Sequence, residues 1–420
     1  MTKITEGGLV KSMAGYENDK LNIEETTIAE INPYYFRATK RTKKRINIFL
    51  PSINPEHVFG GISTAIRFYE EMATRLGYDK RIILVDAKPA PEAISIYEPE
   101  YTFVEAKDDC EEAAQILSYS DRKPYGIPVS ERDYFIFTGW WTAHCAGAAF
   151  TVWEKENGIN VNPFIYFIQD YEPGFYPWSS HYLLAEATYK VKRKQIAIFN
   201  TKLLQEYFNN NGYHFFKEYA FEPVLNSSLK EVLYSLPESI TKKKQILIYG
   251  RPSTKRNAFL LIVEALKQWV YLQSGIEEWR IISAGEEHEP IELGKGVMLE
   301  SLGKLSLAEY GKVLQESYAG ISLMASPHPS YPPLEMSVFG VKVITNTFAN
   351  KDLKNFNDHI VSLEVSNPEN IAHTLEAICD DYKPVSEFVI GNKEYCENED
   401  VFGFIADIET VLEEAATESE

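Results

Sequence analysis

The stretch Ile246-Leu247-Ile248-Tyr249-Gly250-Arg251-Pro252-Ser253-Thr254-Lys255-Arg256-Asn257 changes character within a dozen residues. A short apolar run bounded by turn-forming residues reads as a buried strand, and the glycine closes it. From 258 to 273 apolar residues recur at helical spacing. Between strand and helix stand three cations, Arg251, Lys255 and Arg256. Cations at the carboxyl end of a strand, beside a helix start with free N–H groups, make an anion site. A guanidinium, planar and forked, suits two phosphate oxygens at once. The plain alternative is that Lys255 and Arg256 only decorate an exposed loop.

Outward from this stretch the alternation continues. Strands are predicted at Gln245–Tyr249, Arg280–Ser283, Gly320–Met324 and Lys342–Thr345, with helices at Leu307–Glu316 and Leu334–Phe339. Upstream, Ile46–Leu50, Arg81–Val85, Tyr134–Phe137, Phe164–Ile168 and Ile196–Phe199 read as strands, and Ser63–Leu76 as a helix. Strands alternating with helices imply parallel sheets covered on both faces. The pattern weakens over Leu225–Lys244, which reads as a linker and hinge. The fold class is therefore α/β, with two Rossmann-like domains facing across a cleft, and ligands are expected beyond the carboxyl ends of the strands. The divisions are an N-terminal extension (1–43), a first domain (44–235), a second domain (236–390) and a C-terminal segment (391–420). The basic run Lys40–Arg45 reads as a solvated edge, with contact to an anionic membrane surface as the lesser alternative.

Length and charge bound the rest. A chain of 420 residues suggests two or three domains. With 45% hydrophobic and 25% charged residues it can bury enough apolar surface to fold. The net charge of −19 excludes bulk binding to a phosphate backbone, though not a local basic pocket. The acidic run from Cys396 to Glu420 reads as a solvated face and tail. Cys110, Cys145, Cys379 and Cys396 are too dispersed for a disulfide framework or a zinc site, and are expected to be free thiols in a reducing compartment. The sequence has neither an apolar run of spanning length nor an apolar segment near Met1, so a cytoplasmic location is expected.

Three further stretches carry chemistry. Ser326-Pro327-His328-Pro329-Ser330-Tyr331-Pro332-Pro333-Leu334-Glu335-Met336 is a proline-stiffened loop feeding a helix. Glu335 falls in the first turn, where a carboxylate is favoured by the helix dipole or could accept hydrogen bonds from sugar hydroxyls. Val58-Phe59-Gly60-Gly61-Ile62-Ser63-Thr64 lets backbone approach a ligand closely at Gly60 and Gly61, without being a dinucleotide fingerprint. In Phe167-Ile168-Gln169-Asp170-Tyr171-Glu172-Pro173-Gly174-Phe175-Tyr176-Pro177-Trp178, carboxylates and rings at a strand end suit sugar recognition; an aromatic loop packed on its own domain is the alternative. Trp140, Trp141, Thr142 and His144 follow another strand and are candidates for the same cleft. No set of residues has metal-ligand spacing.

With these motifs the chain resembles the retaining GT-B glycosyltransferases of glycosyltransferase family 4. Within them it is most similar to the WsaF-like rhamnosyltransferases of surface-layer glycan assembly. The resemblance rests on the F-I-Q-D-Y-E-P-G-F-Y-P-W and H-P-S-Y-P-P-L-E-M segments. It implies a nucleotide-sugar donor, dTDP-β-L-rhamnose, on the second domain. Gly250, Arg251 and Lys255, joined by Gly303 and Lys304 in Leu302-Gly303-Lys304-Leu305, would bind the diphosphate. Leu334 and Glu335 would lie at the nucleotide, with Gly60 and Gly61 facing them. The family's E-x7-E motif is kept only in its second glutamate, Glu335. Its first would fall at Pro327, so contact with the transferred sugar passes to His328, Ser330 or Tyr331. The acceptor, a rhamnan-type glycan carried on a lipid, would bind Gln169, Asp170, Glu172, Trp140 and Trp141. Arg251 and Lys304 would stabilise the departing diphosphate without a metal, and Asp170 or Glu172 would serve as general base if one is used. No cofactor or nucleic-acid partner is expected; peripheral membrane contact and a homodimer are further expectations. A nucleotide-sugar 2-epimerase and a non-catalytic glycan- or nucleotide-binding module are the competing readings.

Overall fold

The computed structural model describes residues 27–58, 60–122, 124–158, 161–387 and 390–417. Most of the N-terminal extension, residues 1–26, lies outside the described residues.

The first lobe is an eight-stranded sheet: β1 (Arg45–Leu50), β2 (Asp79–Leu84), β3 (Thr102–Val104), β4 (Ala114–Ser118), β5 (Asp133–Phe137), β6 (Phe164–Ile168), β7 (Gln195–Asn200) and β8 (Lys217–Phe221). Its order is β8-β7-β6-β5-β1-β2-β4-β3, with every neighbouring pair parallel. β1, β5, β6 and β7 are buried along their whole length, which is why they read as apolar runs rather than as alternations. Ile46, Ile48 and Leu50 pack under helix α1 (Gly60–Leu76). Phe49, Phe135 and Phe137 pack on the other face with helix α2 (Trp140–Asn157). Helix α3 (Ser180–Thr188) lies beside α2.

Helix α4 (Ser227–Tyr234) leads into the second lobe, a seven-stranded sheet. Its strands are β9 (Lys243–Gly250), β10 (Arg280–Gly285), β11 (Ile291–Gly294), β12 (Val297–Ser301), β13 (Ser317–Ile321), β14 (Lys342–Asn346) and β15 (Ile360–Leu363). The order is β11-β12-β10-β9-β13-β14-β15, parallel except for the β11–β12 hairpin. Helices α5 (Phe259–Leu272), α6 (Leu307–Glu316), α7 (Pro332–Val338) and α8 (Pro368–Asp380) cover it. The last helix, α9 (Ile405–Thr417), packs in the first-lobe core. There Phe402, just before it, meets Phe68 edge-on at 5.2 Å.

Four local expectations are corrected. Leu225–Lys244 is not an open linker: α4 buries Leu229 and Leu233 in the second-lobe core, and Lys242 is sealed in, donating to the Leu314 and Phe339 carbonyls. The helix expected from Ser63 begins at Gly60, so Gly60 and Gly61 form the first turn of α1. The helix expected at Leu334 begins at Pro332, because proline's fixed φ and missing N–H cost nothing in a first turn. Residues before 44 are also partly structured, since Phe36–Ala38 pairs with Ile127–Val129 and Tyr34 is core.

The basic run Lys40–Arg45 is a solvated edge only in part: Lys40 and Lys43 are exposed, but its two arginines are not. Arg41 is buried and paired with Asp79. Arg45 is buried against Asp133, with Nε–Oδ1 at 2.7 Å and Nη2–Oδ2 at 3.1 Å. Asn47 donates to the same carboxylate at 2.8 Å. Buried charges persist because they are paired and hydrogen-bonded. Among the described residues no helix is long and apolar enough to cross a membrane.

Candidate active site

The loops after neighbouring second-lobe strands are laced into one surface. Glu286 N–H donates to the Gly250 carbonyl at 2.8 Å, and Gly285 N–H to the Gly303 carbonyl at 2.9 Å. Ala325 N–H donates to the Arg256 carbonyl at 2.7 Å. Side chains could not fit where the strand ends converge: a Cβ on Gly250 would lie 2.8 Å from the Ser283 Cβ, and one on Gly285 would strike the Gly250 carbonyl. Arg251, Lys255 and Lys304 all stand on these loops, at the carboxyl end of the sheet. Arg251 is half-buried, and Lys255 and Lys304 are exposed. Arg251 Nε–H donates to Glu286 Oε1 at 3.1 Å. Glu286 also accepts from Ser253, from the hydroxyl at 2.7 Å and from the backbone N–H at 2.9 Å.

The 326–335 loop forms the adjoining wall, with Ser326, His328 and Ser330 buried. His328 Nδ1 accepts the Ser330 N–H at 3.0 Å, which assigns the ring proton to Nε2. Burial pushes the imidazole down to about 4, so it is neutral, and Nε2 has no partner in the protein. Ser330 sits at φ 69°, in the left-handed region. Glu335, in the first turn of α7, is pushed up to about 7 by burial, with the nearby Tyr310 hydroxyl opposing the shift.

First-lobe residues close over this surface. A Cβ on Gly60 would lie 3.3 Å from the Tyr331 ring, and one on Gly61 would run into the Gln169 carboxamide. Asn200, at the end of β7, donates to the Tyr331 hydroxyl at 2.7 Å. Asp170, just past β6, accepts from the Ser326 hydroxyl and lies 3.5 Å from Arg256 Nε. The Arg256 guanidinium stacks 4.2 Å from the Phe175 ring centre. The carboxyl ends of the two sheets therefore face each other across a cleft.

Several sequence-predicted site residues fall elsewhere. Glu172 is buried within its own lobe, accepting from the Tyr166 and Tyr189 hydroxyls at 3.0 and 3.3 Å. Burial pushes its carboxyl up to about 8, and it does not line the cleft as an acceptor-binding or basic group. Trp140 is fully buried and donates to the Tyr176 hydroxyl, so it supports the aromatic loop instead of meeting a ligand. Trp141 donates to Asp86 at 3.1 Å. Leu334 is a core residue. The Asp170 carboxylate is directed at the second lobe, not left open to an acceptor. His144 lines a separate cavity of about 760 Å³ near the start of β6 and β7, none of whose walls is a cation of the cleft. Reading the sequence missed Glu286, Asn200 and Tyr310, because each acts through a partner distant in the chain. Among the described residues no three His, Cys, Asp or Glu side chains gather as metal ligands.

Two such sheets, meeting at their strand carboxyl ends with the last helix returned to the first lobe, define the GT-B fold. The alpha,alpha-trehalose 6-phosphate synthase of Burkholderia multivorans shares the fold with a TM-score of 0.53 at 9% identity, over 90% of this chain and 99% of that one. WaaG, a glycosyltransferase involved in lipopolysaccharide biosynthesis, does so with a TM-score of 0.51 at 11% identity, over 87% and 99%. Within this class the chain belongs to the WsaF family: the WsaF N-terminal domain matches residues 45–202 and the WsaF C-terminal domain residues 244–376. The O-antigen biosynthesis protein RfbC of Myxococcus xanthus is 29% identical over 314 residues. That match takes in 74% of this chain but 22% of RfbC, so the chain spans about a fifth of that relative.

Proposed function

We propose that this glycosyltransferase moves L-rhamnose from dTDP-β-L-rhamnose to a hydroxyl of a growing rhamnose-containing surface glycan, with retention and without a metal. The observation that supports it most is the placement of Arg251, Lys255 and Lys304 on loops at the carboxyl end of the second-lobe sheet, the end that also carries Glu335 in the first turn of α7. Breaking a sugar–phosphate bond leaves an oxocarbenium-like sugar and a diphosphate gaining negative charge. Fixed cations aimed at that diphosphate stabilise the charge as it develops. Glu335 would accept hydrogen bonds from the nucleotide sugar hydroxyls. His328 Nε2–H, the unpartnered donor in the adjoining wall, would bind the transferred sugar in place of the glutamate missing at Pro327. With Glu172 buried, a retaining transfer would draw no nucleophile from that carboxyl, and the donor phosphate would take the acceptor proton. The rhamnose assignment, a lipid-linked acceptor and peripheral contact with a membrane follow the family resemblance.

The test is product formation from dTDP-β-L-rhamnose with a rhamnan oligosaccharide, run beside a donor-only control. A new glycosidic linkage with release of dTDP is expected. Epimerised donor in the control would favour an epimerase, and binding of dTDP without transfer a binding module.

A further inference from the structure

Glu286 is a carboxylate placed where an anion site should not want one. It stands on the turn after β10, held there by its own N–H on the Gly250 carbonyl. Its two oxygens take the Arg251 Nε–H, the Ser253 hydroxyl and the Ser253 N–H. By charge alone it weakens any hold that Arg251 has on a phosphate. By geometry it does something else. Arginine's guanidinium is a rigid plane, so fixing Nε–H fixes the direction of the whole fork. The three bonds to Glu286 also tie Arg251 to Ser253, pinning the turn between them.

We propose that Glu286 is a positioning residue for donor binding and transfer, which orients the Arg251 guanidinium toward the diphosphate at the cost of one adjacent negative charge. This rests on the reading above that Arg251 grips a diphosphate. Misdirecting a group by about an ångström can cost roughly 100-fold in rate, so the loss of orientation should outweigh the Coulombic gain.

The two effects have opposite signs, and binding of inorganic pyrophosphate to the full chain separates them. Titration calorimetry would compare wild type, Glu286→Ala, Glu286→Gln, Arg251→Ala and the Arg251→Ala/Glu286→Ala double variant, with thermal melts to confirm folding. Glu286→Ala should bind pyrophosphate about 10-fold more weakly although it has lost a negative charge. Glu286→Gln, which keeps an acceptor oxygen, should lose less. In the Arg251→Ala background, removing Glu286 should cause no further loss. Unchanged or tighter binding by Glu286→Ala would overturn the proposal, as would a loss that persists without Arg251. If wild type binds no pyrophosphate, or Arg251→Ala binds it as wild type does, the diphosphate reading falls and this one with it. If Arg251→Ala alone weakens binding, the diphosphate reading stands and only the role of Glu286 is refuted.

Discussion

The carboxylate of Asp170 in the first lobe accepts a hydrogen bond from the hydroxyl of Ser326 in the second, across 156 residues of chain. Its other oxygen lies 3.5 Å from Arg256 Nε, and the Arg256 plane rests on Phe175, from Asp170's own loop. One short segment of the first lobe thus meets two loops of the second, and Asp170 acts as a catch between them.

Asp170→Asn should accordingly loosen the closed arrangement. A hydrogen bond to a charged group contributes about 1.5–3 kcal/mol, so the open state gains by roughly 10-fold or more. Small-angle scattering should show a larger radius of gyration, and Ser326→Ala should move it the same way by less. Unchanged scattering from Asp170→Asn would mean that the catch does not set closure.

Arg251→Ala should lower turnover by about 100-fold or more, the scale for removing one charge-stabilising group at a developing anion. Arg251→Lys keeps the charge and loses the fork, so it should fall between. Wild-type turnover in Arg251→Ala, measured as dTDP release, would remove Arg251 from the chemistry.

The polar core of the first lobe makes a separate prediction about stability. Burial raises the Asp133 carboxyl, but Arg45, Arg81 and Asn47 together hold it below the usual range. A carboxyl depressed in the fold contributes stability that is present above its unfolded value and lost as pH falls through its folded one. Asp133→Ala leaves Arg45 buried without a counter-charge, at a cost of about 3–5 kcal/mol at neutral pH. In urea melts the gap to wild type should shrink in acid, where wild type also loses the charge. A gap that holds constant down to pH 3 would contradict this.

These cases show what could be read ahead of the structure. The Gly250–Arg251 turn was legible because strand, glycine, cation and helix lie within one local stretch, and local geometry follows from residues close in sequence. Glu286 was not, since its bond to Arg251 spans 35 residues and depends on β9 and β10 being neighbours. Arg41 and Arg45 look like solvated cations until the sheet brings Asp79 and Asp133 beside them. Trp140 and Glu172 share the composition of a sugar-binding loop, but Trp140 opens a helix whose first residue faces the core, and Glu172 turns in toward Tyr166 and Tyr189. Aromatic and acidic composition is the same whether a loop faces a ligand or packs beneath one. Only the direction of each side chain tells them apart.

Glu335 gives the pH prediction, and its sign is opposite to that of Asp133. Burial lifts its carboxyl to about 7, above its unfolded value, so ionisation is resisted in the fold. Between about pH 4.5 and 7 the unfolded chain has given up this proton and the folded one has not. Stability therefore falls as pH rises, by up to about 1.4 kcal/mol per unit for this group. Donor binding should run the other way, because a carboxylate accepts hydroxyl hydrogen bonds on both oxygens and a carboxylic acid does so less well. Affinity for a nucleotide sugar should rise from pH 6 to 8, and Glu335→Gln should flatten that rise while stabilising the empty protein at pH 8. The probe should be the intact nucleotide sugar: a terminal phosphate titrates near 6 and would add a pH dependence of its own, whereas a diphosphate esterified at both ends does not. If Glu335→Gln kept the full rise in affinity, the titrating group would have to be sought elsewhere in the cleft.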